Sequence, residues 1–162
     1  MQEIWEQIPD LPGYGISNFG RVNNLIRGQI LTPVLNKGGI LNVGVYVDGR
    51  HTTKSVALLV SRAFLPVLNE AFNSPINLDG DRLNCHVDNL MWRPRWFAVF
   101  YHRQFSNPSF YQETCLTILE TGERFYDFVE PCVRYGLRYV DIILSYSNNI
   151  HAWPTKQTFQ LT

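Results

Sequence analysis

The sequence predicts an α+β chain, and three observations carry that reading. Short apolar runs punctuated by Gly and Pro fill the first fifty residues. An apolar stripe at helical spacing follows them. The last third reads as a strand pair, two short helices and a closing strand.

The opening "EIWEQIPDLPGYGISNFGRVNNL" sets Trp5, Ile8, Tyr14, Ile16 and Val22 between turns at Pro9, Pro12, Gly13, Gly15 and Gly20, which predicts short strands, one of them "YGISN". "LNVGVYV" alternates as a strand does, and Asp48-Gly49 after it is a hairpin signal. In "KSVALLVSRAFLP", Val56, Leu59, Val60, Ala63 and Phe64 fall at helical spacing, with Ser55 as N-cap and Pro66 beyond the end. "RWFAVFYHRQF" after Pro94 reads as a helix, and residues 108–114, "PSFYQET", as a linker. "CLTIL" and "RFYDF" flank the turn "ETGE". "FVEPCVRYGL" and "YVDIILSYS" read as two helices joined at Gly136, a helix-turn-helix-like layout, and "QTFQL" as a final strand. Pro131 costs its helix a hydrogen bond unless it lies in the first turn. The segments divide as 1–74, 75–107 and 108–162.

Composition narrows the function. Apolar residues are 45% of the 162, enough for a core. No uncharged apolar run reaches the ~18 residues of a membrane span, and "MQEIWEQIPD" has no signal-peptide character, so a cytoplasmic protein is expected. Cys85, Cys115 and Cys132 suit reduced thiols and form no zinc-site spacing. Fourteen Lys and Arg balance fourteen Asp and Glu. A phosphate-binding protein usually carries a basic surplus, so neutrality leaves only a local patch for DNA.

The stretch with the most chemistry is "INLDGDRLNCHVDNLMW", Ile76 to Trp92. With the opening skeleton "W…I…Y.ISN.GRV", the helix "SVALLVSRAFLP" and the C-terminal "TGERFYDF", it resembles the modular phage HNH (ββα-metal) homing endonucleases over nearly the whole chain. The resemblance implies a nuclease-associated module at 1–74, an HNH core at 75–107 and an appended DNA-binding module at 108–162. It also implies a phage source and, in that case, the host cytoplasm.

The resemblance also shows what this chain lacks. The family's general-base histidine falls at Asn77, whose amide has no useful basicity. The ligand position before it is Ile76, and the second ligand position, on the following helix, falls at Ala98. The asparagine that orients the histidine is present as Asn89. The family's His-Arg pair on the earlier helix is replaced by Ala57 and Leu58. Mg²⁺ takes oxygen ligands, so no metal and no cofactor is expected here unless a shifted centre is active. Asp79, Asp81, His86 and Asp88 are the residues from which such a centre would be built, and as turn formers they have a simpler role.

Candidate contacts to DNA or to a protein partner are Arg93, Arg95 and Arg103, with Arg138, Tyr139 and Ser145 on the second C-terminal helix. Asp141 within that helix is unfavourable beside phosphates. Three functions follow: a non-cleaving protein that binds double-stranded DNA as an accessory or regulatory factor; a nuclease scaffold that binds a host or phage protein; and an active endonuclease with a shifted site. Aromatic residues, 14% of the chain, suit the second. Phe105, Phe110, Tyr111 and Tyr146 are its candidate exposed anchors. Oligomeric state is not encoded legibly.

Overall fold

A computed structural model describes residues 2–162. The fold is α+β, with several small antiparallel sheets and four helices. It packs as two compact units, residues 1–77 with 81–95, and residues 78–80 with 96–162. The motif segment 75–107 contributes to both.

In the first unit, β1 (Trp5–Gln7), β2 (Tyr14–Ser17), β3 (Val22–Asn24) and β4 (Gln29–Ile30) pair antiparallel in chain order. The "SNFGRV" stretch explains itself in hydrogen bonds. Ser17 Oγ accepts from the Phe19 and Arg21 amides, closing the turn. Asn18 Oδ1 accepts from Ile4 N (2.8 Å), and its carbonyl accepts from Val87 N (2.9 Å). Gly20 has φ of 83°, and a Cβ there would sit 3.0 Å from Cys85 Cβ. The turn is therefore shaped to receive the motif loop.

A second sheet holds β5 (Val34–Leu35), β6 (Leu41–Val47) and β7 (Arg50–Ser55). Val43 and Val45 are buried while Gly44 and Tyr46 face out, as alternation predicts. Asp48 and Gly49 both have positive φ, 49° and 74°, which is the two-residue turn expected at Asp-Gly. Helix α1 (Val56–Phe64) begins at Ser55, whose Oγ accepts from Leu58 N. Val56, Leu59 and Val60 join Ile16, Val22 and Leu90 in the core. Strands β8 (Ser74–Asn77) and β9 (Leu90–Arg93) complete the unit.

Helix α2 (Arg95–Gln104) leads into the second unit. There β10 (Glu113–Ile118), β11 (Arg124–Asp127) and β12 (Phe159–Leu161) form a sheet in the order β11-β10-β12. Helix α3 (Val129–Tyr135) ends at Gly136, whose left-handed φ of 61° turns the chain into α4 (Tyr139–Asn148). Pro131 lies in the first turn of α3, where its missing N–H breaks nothing. Phe110, Leu116, Phe125, Leu137, Ile142 and Phe159 form this core.

Two sequence expectations are corrected here. Residues 108–114 are not a linker: Pro108–Tyr111 is a 3-10 turn capped by Asn107, and it drives Phe110 fully into the core. Phe110 is thus no exposed anchor, and Phe105 and Tyr146 are half-buried; Tyr111 is exposed. Among the described residues no helix is long and apolar enough to cross a membrane, and no disulfide joins the three cysteines.

Candidate functional site

Strands β8 and β9 pair Pro75 with Trp92, Ile76 with Met91 and Asn77 with Leu90. The loop between them is folded on its own side chains. Asp81 Oδ1 accepts from Leu83 N, and Asp81's carbonyl accepts from Asn84 N. At its mouth, Asn77 Nδ2 donates to the Asn84 carbonyl at 2.9 Å, and Asn89 Nδ2 donates to the same oxygen at 2.8 Å. Asn77 is 4% exposed. The carbonyl has two lone pairs, and both amides use them. Asn84 was not singled out in the sequence, because a backbone acceptor leaves no signal there.

Ile76 is fully buried and presents only alkyl carbon. In the second unit, Ala98 is buried on α2, and its carbonyl holds His102 Nδ1 at 2.8 Å. Neither side chain can hold a cation, and Asn77 is engaged with Asn84. The residues at these positions therefore do not fit a divalent ion. Among the described residues, no three His, Cys, Asp or Glu side chains gather to hold one elsewhere.

The residues from which a shifted centre would be built have structural partners. His86 Nδ1 accepts from Asp88 N (3.2 Å), capping the short turn Val87–Asn89, and its ring packs on Phe19. Asp88 is exposed, 3.8 Å from His86 Nδ1. Asp81 closes its own turn. Ala57 is buried in α1 and Leu58 is half-buried.

The proposed binding residues divide sharply. Arg93 is 7% exposed; its guanidinium donates to the Trp92 carbonyl and lies over Phe72. A surface contact by Arg93 is thereby corrected: the strand end carries it inward. Ser145 is fully buried, donating to the Ile150 carbonyl and accepting from Phe159 N, so it reaches no ligand. Arg138 is bound by Asp141 through two contacts of 2.6 and 2.7 Å, and its charge is already matched. Tyr139 is half-buried, and its hydroxyl accepts from Asn107 Nδ2. The exposed positions of α4 are the aliphatic Val140 and Leu144 and, in its last turn, Ser147 and Asn148, the latter donating to the Leu144 carbonyl. Arg95 and Arg103 are exposed on α2, and neither makes an ion pair among the described residues.

Comparison with known proteins bears on these positions. Residues 3–46 match the NUMOD4 motif. An uncharacterized HNH endonuclease of Acanthamoeba polyphaga mimivirus is 32% identical over 88 residues, 54% of this chain and 22% of that protein. The chain thus spans well under half the length of that relative. A solved structure described as DNA binding and cleavage by the HNH homing endonuclease I-HmuI aligns over 98% of both chains, with a TM-score of 0.56 and 20% identity. That likeness is one of fold.

Proposed function

We propose that this chain, whose fold is similar to that of an HNH homing endonuclease, binds double-stranded DNA without cutting it, as an accessory or regulatory factor in the cytoplasm. One observation carries the reading: the side chain at the base position, Asn77, is buried and spends its amide on the Asn84 carbonyl. Water attack on a phosphodiester needs a group that takes a proton near neutral pH, and an amide does not. The flanking ligand positions are Ile76 and Ala98, so no metal-bound hydroxide is available from this centre either. What the chain keeps is scaffold: the Asp79-Gly80 turn, Leu90, Trp92 and Asn89.

Contacts to DNA fall to α2. Arg95 and Arg103 are eight residues apart, about 12 Å along a helix, and their guanidinium groups suit phosphate oxygens. The test is a gel shift on mixed-sequence duplex with Mg²⁺ present, at low and high salt. The expected result is a salt-sensitive shift with intact DNA. Cut DNA would refute the inactive reading, and absence of a shift would refute DNA binding.

A second reading has its own support. The zero net charge and the exposed aliphatic residues Leu25, Ile26, Val34, Leu35 and Ile40 of the first unit favour a protein partner on a repurposed scaffold. An unshifted duplex together with a stable complex isolated by crosslinking would favour it.

A further inference from the structure

The second unit carries an aromatic strip. Trp96, Phe100 and Trp153 are 50, 49 and 41% exposed, three large rings left open to solvent. Trp153 stacks on Trp96 with centroids 5.2 Å apart and 29° between planes. The Arg138 guanidinium lies 5.1 Å from the Trp96 centroid and 5.9 Å from that of Phe100. Arg103 lies 5.8 Å from Phe100. The contacts run Trp153, Trp96, Arg138, Phe100, Arg103, so two stacked rings are followed by a guanidinium on either side of Phe100.

The strip is held in shape before any ligand arrives. Asp141, 5% exposed, grips Arg138 with both carboxylate oxygens, and Phe97, fully buried, packs beneath Trp153 and Arg138. Rings ordered in advance lose little entropy on binding.

Charge points to an anion. The unit as a whole has five basic and seven acidic residues. The segments that carry the rings are different: Arg103, Arg138 and Lys156 stand against Asp141 and against Glu120, which reaches His151 and Thr158, a local excess of one positive charge. Flat rings beside unneutralised cations match an unpaired nucleic-acid strand, whose bases stack and whose phosphates take the charge. A duplex keeps its base faces against each other and has none to give.

We propose that this strip binds an unpaired nucleic-acid strand, with bases stacked on Trp153 and Phe100 and phosphates at Arg103 and Lys156. It extends the DNA-binding reading to a second form of the nucleic acid and rests on that reading for its setting.

The test is a tryptophan-fluorescence titration of the full chain with a dT oligomer about 16 nucleotides long, the upper end of single-fold site sizes. Mixed-sequence duplex and poly-glutamate serve as competing probes. The oligomer quenches the signal, and poly-glutamate does not. Trp153→Ala and Phe100→Ala each weaken the oligomer by about 5- to 100-fold, the range of one lost stacking contact, while duplex gel shift and thermal melt stay as in the parent. If Trp153→Ala does not fold, Trp153→Phe and Phe100→Ser carry the comparison. No quenching, equal binding by the variants, or equal quenching by poly-glutamate would overturn the proposal, the last in favour of an acidic protein segment. A parent chain that shifts duplex but is not quenched by the oligomer refutes this site alone. A parent chain quenched by the oligomer that does not shift duplex refutes the duplex reading alone.

Discussion

Asn77 and Asn89, twelve positions apart in the chain, donate to one acceptor, the carbonyl of Asn84. The pair closes the base of the motif loop. Asn77→Ala strands part of a buried acceptor and should lower stability by about 1–3 kcal/mol. Asn89 is half-buried, so Asn89→Ala should cost less, since water can replace its amide. Denaturant unfolding of both single variants and the double variant measures this. Strict additivity would refute the shared acceptor, because two donors to one oxygen are coupled.

A related expectation concerns chemistry. Asn77→His alone should not restore cleavage. It supplies an imidazole, but Ile76 and Ala98 still offer no oxygen to a cation. The triple change Ile76→Asp, Asn77→His, Ala98→Asn supplies an imidazole and two oxygen-bearing side chains at the positions the resemblance implies, and is the smallest change expected to show any Mg²⁺-dependent nicking. A supercoiled-plasmid assay reads both. Cutting by the single variant would mean that the metal is held by other residues.

Much of the fold was legible because local signals and packing agreed. Ser55 caps α1, Asp48-Gly49 turns the β6–β7 hairpin, and Gly136 ends α3 as the sequence implied. The differences share one physical cause: local polarity does not fix exposure. Arg93 and Ser145 are polar, yet one lies over Phe72 and the other satisfies two backbone groups inside the core. Phe110 stands among Asn, Pro and Ser, the composition of a loop, and a single inward ring has no periodicity to announce it. At the motif, the residue types at 76, 77 and 98 can be read directly from the sequence. The use to which Asn77 is put cannot, since its partner is a backbone oxygen.

Arginine burial makes the binding contribution of Arg93 separable from that of its neighbours. Arg93→Ala should lower stability by about 1–3 kcal/mol, through the lost hydrogen bond and the uncovered Phe72 ring, with duplex affinity unchanged in the folded fraction. The Arg95→Ala/Arg103→Ala pair should do the reverse. It should keep the melt and reduce the slope of log affinity against log salt by about 2, one unit for each phosphate contact removed. An unchanged slope would remove α2 from the interface.

Acid should find one weak point at the C-terminal strand. Glu120 accepts from Thr158 N with both carboxylate oxygens, at 2.9 and 3.0 Å, just before β12 begins. That backbone N–H, with a smaller contribution from His151 at 3.7 Å, holds the Glu120 carboxyl below its usual value of 4.5. The folded-state value lies under the unfolded one, so the ionised group stabilises the fold above pH 4.5. Its contribution is lost as pH falls from there through the folded-state value. Glu120→Gln keeps one acceptor and removes the charge. The variant should be less stable than the parent at pH 7, and the gap should narrow as pH falls below 4.5. Urea midpoints measured on both proteins from pH 7 to about pH 3 decide it, the lower limit lying under the ordinary carboxylate range. Comparing the two proteins cancels the acid response of Glu3, whose carboxyl is also lowered, there by Arg21. A gap constant across the whole range would mean that the amide contact, and not the charge, fixes this end of the sheet.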